Sequence, residues 1–145
     1  MKVDKILETC LYAHDLKEVE RFYSDVLGLE FFAREKDRHV FFRCGDTVVL
    51  VFNPEKTSDP DDPESGVNVP LHGATGPGHA AWAVPQDEIS DWRRHLMSHD
   101  VEIEREIEWP GGGESLYFRD PAGNSLEIGT RSIWSLPHPP DRDSP

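Results

Sequence analysis

The sequence predicts an α+β fold built from two copies of a strand–helix–three-strand (βαβββ) module. Three observations predict it. The same order of elements can be read twice along 145 residues. The copies also share letters: Val40-Phe41-Phe42-Arg43 matches Leu116-Tyr117-Phe118-Arg119, and Val19, Phe22 and Val26 match Ile89, Trp92 and Leu96 at a constant offset of 70. Between the copies lies an acidic, proline-rich stretch with no hydrophobic period. The chain thus divides into a first module over 1–53, a linker over 54–78, a second module over 79–129 and a C-terminal tail over 130–145. A module this small cannot bury its own sheet well, so the two are expected to pack as one compact unit over 6–129.

The elements follow in order. Residues 6–13 alternate as a strand, with Leu7, Thr9, Leu11 and Ala13 on one face and Glu8, Cys10 and Tyr12 on the other. Asp15 is a good N-cap, and Glu18 three residues later completes a capping box. The helix it opens carries Leu16, Val19, Phe22, Tyr23, Val26 and Leu27 at helical spacing and ends at Gly28. Residues 29–33, 39–43 and 47–52 read as strands, the last two joined by a Gly45-Asp46 turn. Over 53–78, Pro54, Pro60, Pro63 and a cluster of acids predict a long surface loop. The pattern then restarts. His79, Ala81 and Ala83 alternate with Ala80, Trp82 and Val84. Residues 87–98 form a helix with Ile89, Trp92, Leu96 and Met97 on its inner stripe. Residues 101–107, 115–119 and 125–129 are strands, the last two joined by the turn Asp120-Pro121-Ala122-Gly123-Asn124. The tail holds four prolines, and Ile133, Trp134 and Leu136 are its candidate anchors.

Composition excludes several functions. Fifteen Lys and Arg against 28 Asp and Glu leave a formal charge of -13. That charge lacks the basic footprint of a nucleic-acid binder and is repelled by anionic lipid. The longest apolar run, Val48 to Phe52, is far too short to cross a bilayer. Lys2, Asp4 and Lys5 replace any apolar signal core, and Cys10 and Cys44 make no disulfide framework, so a cytoplasmic location is expected.

Two segments resemble the vicinal oxygen chelate superfamily, which includes glyoxalases, bleomycin resistance proteins and extradiol dioxygenases. The first is Asp15-Leu16 through Phe22-Tyr23-Ser24-Asp25-Val26-Leu27-Gly28-Leu29. The second, more specific, is Tyr117-Phe118-Arg119-Asp120-Pro121-Ala122-Gly123-Asn124-Ser125-Leu126-Glu127. With the repeat, the resemblance covers residues 6–129. It implies eight strands in a half-open, barrel-like sheet with helices outside. It also implies a divalent metal in the concave wall, held from the first and last strands of each module. By position the ligands are Glu8, His79 and Glu127, while the fourth place falls near Leu50, which cannot ligate. Homodimers are common in the family, and its modules pair within one chain or between two.

Strand parity supports this set independently. Glu8 and His79 lie opposite the residues facing the helices, and Glu127 lies between Leu126 and Ile128, which face the helix. One imidazole and two carboxylates suit Mn²⁺, Fe²⁺, Co²⁺, Ni²⁺ or Zn²⁺ and leave positions for water and substrate oxygens. Many dioxygenases of the family have His at the place of Glu8. Lyase, isomerase or group-transfer chemistry on a small molecule is therefore expected over ring cleavage, by chelation of two neighbouring substrate oxygens. Glu8 or Glu127 is the candidate base, and Tyr12 a candidate acid or hydrogen-bond donor. Phe41, Leu50, Phe52 and Tyr117 line the expected wall, and Trp109 opens a glycine-rich hairpin that reads as a lid. Two rivals stay open. One is a metal-independent protein that sequesters a drug in an aromatic groove. The other is a degenerate member that only dimerises or regulates.

Overall fold

The computed structural model describes residues 1–61 and 69–136. Asp62, Pro63 and Glu64 of the predicted linker, and the tail beyond Leu136, lie outside these residues. The strands are β1 (Glu8–Tyr12), β2 (Glu30–Glu35), β3 (His39–Cys44), β4 (Thr47–Phe52), β5 (His79–Val84), β6 (Arg105–Glu108), β7 (Glu114–Arg119) and β8 (Ser125–Thr130). The α-helices are α1 (Leu16–Asp25), α2 (Pro54–Thr57) and α3 (Ile89–Ser98). The predicted order, strand–helix–three strands twice, is present as two four-stranded sheets, β1-β4-β3-β2 and β5-β8-β7-β6. The chain forms two units. One comprises Met1–His79 with Asp120–Ser125; the other comprises Ala80–Arg119 and the residues from Leu126 onward. No helix among the described residues is long and apolar enough to cross a membrane.

In the first unit, β1 runs parallel to β4, and β3 is antiparallel to both β4 and β2. The registers place Leu11, Val51 and Val40 in one row and Thr9, Val49 and Phe42 in the next. Five of these six are core residues, at most 3% exposed. Their burial contributes about 1.5–3 kcal/mol for each large side chain. Asp15 caps α1 as expected, its Oδ1 accepting from the Lys17 and Glu18 N–H groups at 3.0 Å. The buried stripe of α1 includes Leu16, Val19 and Tyr23, with Tyr23 stacked on Phe42 at 5.3 Å.

The Asp120–Asn124 turn is the polar anchor of this unit. Asp120 Oδ1 accepts from the backbone N–H of Ala122 and of Asn124, at 3.0 and 2.8 Å. Its Oδ2 accepts from Tyr23 Oη at 3.0 Å and from Asn124 Nδ2 at 2.8 Å. Asn124 Nδ2 also donates to Tyr12 O at 3.1 Å, and its Oδ1 accepts from Gly78 N at 2.8 Å. One side chain therefore ties the end of β1 to the entry of β5. Gly78 makes this approach possible: a Cβ there would sit 2.8 Å from Leu11 Cδ2 and 3.2 Å from Asn124 Oδ1. Burial and the neighbouring Asp120 carboxylate both push the Tyr23 phenol well above its usual value of 10, so it remains a hydrogen donor.

In the second unit, β6 and β7 pair antiparallel. Ile89 and Leu96 of α3, Leu116 and Phe118 of β7, and Leu126 and Ile128 of β8 are all at most 2% exposed. Met97, expected on the inner stripe of α3, is instead 65% exposed. The strand expected over 101–107 is shorter and shifted, being paired over Arg105–Glu108.

Two local differences have clear causes. The predicted loop begins with α2, whose N-cap Asn53 accepts from Glu55 N at 3.1 Å and whose first position is Pro54. Four residues are too few for a hydrophobic period to register. The tail begins with a 3₁₀ turn over Arg131–Trp134. Ile133 is half-buried there, whereas Trp134 is 76% exposed and anchors nothing.

His39 lies against Phe41, with ring centroids 4.0 Å apart, and its Nδ1 is buried without a hydrogen-bond partner. Burial pushes its pKa below the usual 6.5; the Arg38 charge adds to this, and Glu35 opposes it. The unfolded chain therefore takes up this proton at higher pH than the folded one. Stability is expected to fall as pH drops from about 6.5 through the lower folded value. Urea midpoints measured between pH 7.5 and 5.0 would show the slope, and His39→Gln should flatten it.

Candidate active site

The first unit carries an aromatic wall on the sheet face opposite the buried rows. Strand register places Tyr12, Phe52 and His39 in one row, Cys10, Leu50 and Phe41 in the next, and Glu8, Val48 and Arg43 in the third. Phe41 and Phe52 meet edge-to-face at 5.4 Å, and His72 meets Phe52 the same way at 4.7 Å. His72 is delivered by its own backbone, whose N–H donates to Thr57 O at 3.1 Å. Its Nδ1 is 2.9 Å from Tyr12 Oη. Burial, followed by the hydrogen bond from Cys10, pushes the Tyr12 phenol up to about 12. Tyr12 is thus a hydrogen donor across the physiological range, and not a base. A cleft of about 640 Å³ opens beside it, at the end of β1, with Asp15, Glu55, Ser58 and Thr75 among its lining residues.

Two predicted ligands stand on strands of this unit. Glu8 opens β1 and is exposed. His79 opens β5, also exposed, with its Nδ1 2.9 Å from Ser125 O. A carbonyl only accepts, so Nδ1 carries the hydrogen and Nε2 is the ring nitrogen with a lone pair. The bond to Ser125 O fixes the orientation and tautomer of the ring.

The second unit holds the third predicted ligand in a polar chain. Glu127 is 4% exposed and Ser115 fully buried. Ser115 Oγ donates to Glu127 Oε1 at 2.5 Å and accepts from Trp109 Nε1 at 2.9 Å. Tyr117, two residues from Ser115 on the same face of β7, also hydrogen-bonds Glu127. Burial and that bond both push the phenol above its usual 10.

The structure therefore groups the predicted residues in two sets. Tyr12, Phe41, Leu50 and Phe52 share one face with Glu8, while Tyr117 meets Glu127 directly and Trp109 reaches it through Ser115. Among the described residues, no group of three or more His, Cys, Asp or Glu side chains is arranged to hold a metal ion. Sequence reasoning missed one functional candidate, Ser115, which shares strand parity with Tyr117, a signal that was available. His72 comes from the long loop, from which it could reach the site, but it reads there as a surface histidine, because no periodicity points it inward. Arg43 and Arg119, alike in the repeat, both form ion pairs, with Glu30 at 3.5 Å and Glu104 at 2.9 Å.

Comparison with known proteins bears on this site. A family model described as the Glyoxalase/Bleomycin resistance protein/Dioxygenase superfamily matches residues 5–128. The crystal structure of a lactoylglutathione lyase from Agrobacterium tumefaciens is 37% identical, with a TM-score of 0.88; the match covers 94% of this chain and 100% of that one. A glyoxalase/bleomycin resistance protein/dioxygenase from Nocardioides is similar at 19% identity, TM-score 0.67, over 90% of this chain and 85% of its own. A fosfomycin resistance protein from Listeria monocytogenes shares the fold at 15% identity, TM-score 0.64, over 89% and 94%. No curated protein sequence matches significantly.

Proposed function

Because the chain belongs to the glyoxalase/bleomycin resistance protein/dioxygenase superfamily, we propose that it is a metal-dependent lyase or isomerase. Its substrate class is the adduct of a thiol with a 2-oxoaldehyde, or the corresponding 2-hydroxyacyl thioester. The observation that carries this reading is Glu127, a carboxylate 4% exposed yet supplied with donors from Ser115 and Tyr117. Buried carboxylates are costly and are retained where chemistry uses them. The likeness to a lactoylglutathione lyase supports the substrate class.

Interconversion of such an adduct with its 2-hydroxyacyl thioester moves one proton between adjacent carbons and the hydroxyl hydrogen between their two oxygens. Glu127 is the base that takes the proton from one carbon and returns it to the next. Tyr12, still protonated because its pKa stands at about 12, donates a hydrogen bond to a substrate oxygen. Phe41, Leu50 and Phe52 provide the apolar wall, and Trp109 with Tyr117 borders the carboxylate. Glu8 and His79 of the first unit and Glu127 of the second are each donors of the kind that a divalent cation of the Mn²⁺ to Zn²⁺ series takes, His79 through its oriented Nε2. When bound, that cation supplies Lewis acidity to oxygens that gain charge in the reaction. We place the protein in the cytoplasm, in keeping with its free thiols at Cys10 and Cys44, and expect a homodimer.

The test is turnover of a glutathione–2-oxoaldehyde adduct by protein purified without a polyhistidine tag. Chelation should abolish turnover, and Zn²⁺, Ni²⁺ or Mn²⁺ should restore it. The half-buried aromatic wall favours a second reading, drug sequestration. Tight binding of a bleomycin-type drug that persists in chelator, with no turnover of any thiol adduct, would replace the enzymatic reading.

A further inference from the structure

We propose that Ser115 is a positioning residue that joins the glycine-rich loop 109–113 to the Glu127 carboxylate, so that loop and carboxylate move as one element. The inference rests on the reading of Glu127 as the functional carboxylate.

The direction of the chain follows from its donors. An indole N–H can only donate, so Trp109 Nε1 gives its hydrogen to Ser115 Oγ. The single hydroxyl hydrogen of Ser115 is then committed to Glu127 Oε1. A hydroxyl that donates to a carboxylate becomes a better acceptor, so each bond strengthens the other. Full burial of Ser115 keeps water from competing.

Both ends of the chain are seated by close packing. Gly129 leaves the space the carboxylate needs, since a Cβ there would lie 2.9 Å from Glu127 Oε1 and 3.4 Å from Ser115 Oγ. The loop closes on itself through Gly112 N to Trp109 O at 2.8 Å and Trp109 N to Gly113 O at 3.0 Å. Glu114 N donates to Thr130 Oγ1 at 3.1 Å, fixing the end of the loop to the end of β8. Lifting the loop would therefore withdraw Trp109 and weaken the hold of Ser115 on Glu127. By reciprocity, engaging Glu127 should be felt at the Trp109 indole.

The indole ¹H–¹⁵N resonance of Trp109 in the full chain, identified by its loss in Trp109→Phe, reads this coupling without any activity assay. Glu127→Gln is expected to move it upfield, because the charge-assisted bond becomes a neutral one. Adding Zn²⁺ as a probe is expected to move it as well. In a Ser115→Ala background both responses should vanish. Ser115→Ala should also lower kcat about tenfold or more with little change in KM, the usual size of losing the partner that orients a functional side chain, and Ser115→Thr should recover part of it. If Ser115→Ala does not fold, Gly129→Ala displaces the same carboxylate and should shift the same resonance. A Trp109 resonance indifferent to Glu127→Gln and to Gly129→Ala overturns the inference, as does a response that survives Ser115→Ala. Absent turnover with intact coupling would instead count against the enzymatic reading alone.

Discussion

Glu127→Gln is expected to lower kcat on a glutathione–2-oxoaldehyde adduct by about 10²- to 10⁴-fold, the usual worth of a positioned base. The substitution keeps the shape of the side chain and an oxygen for Ser115 to donate to. What it removes is proton affinity. The protein is expected to keep its thermal stability, or gain some. A carboxylate 4% exposed loses much of its hydration on folding, and the neutral amide does not incur that loss. The paired measurement is steady-state kinetics with a thermal melt on the same preparation. Lost turnover at constant Tm marks a functional carboxylate. Unchanged turnover would remove Glu127 from the mechanism and with it the central residue of the proposed reaction.

Asn124→Ala is expected to have the largest effect on stability, about 2–4 kcal/mol. Asn124 is 1% exposed, and its side chain holds three partners: Asp120 Oδ2, Tyr12 O and Gly78 N. Truncation removes all three bonds at once. Each buried group left without a partner costs about 1–3 kcal/mol, and partial relaxation keeps the total below the sum. At about 3 °C per kcal/mol for a chain of this size, Tm should fall by roughly 10 °C. Tyr23→Phe breaks the bond to Asp120 Oδ2, which keeps Asn124 Nδ2 as a donor. It should cost about 1 kcal/mol. Equal losses for the two variants, or a loss under 1 kcal/mol for Asn124→Ala, would count against the turn as an anchor. The result also bears on how the motif is read. The Asp120–Asn124 letters, the most specific sign of the superfamily, work as a structural latch.

Much of this was legible in the sequence for physical reasons. Alternation places Tyr12, Phe41, Leu50 and Phe52 on one sheet face because a strand has a period of two, and no tertiary information can change that parity. The cap at Asp15 is equally local, since a carboxylate two or three residues before free N–H groups has its partners within reach. Where the reading failed, the deciding term was not local. Met97 fits the helical stripe of α3, yet the core beneath is filled by Ile89 and Leu96. Trp134 reads as an anchor by hydrophobicity but lies outward, while the smaller Ile133 beside it is half-buried. His72 comes from a segment without periodicity, so its bond to Tyr12 has no trace in the letters.

By itself, then, the sequence determined the two-module order, the superfamily, and the face that Glu8 and Tyr12 share with Phe41, Leu50 and Phe52. Those properties depend on spacing along the chain and on local sterics, which the order of residues contains. Only the tertiary structure decided which oxygens and nitrogens are engaged. It committed His79 Nδ1 to Ser125 O and the Ser115 hydroxyl to Glu127, and joined Asn124 to Tyr12 O, 112 residues away. Such bonds depend on distances of a few tenths of an ångström between segments remote in the chain. Those distances are set by how the fold as a whole packs.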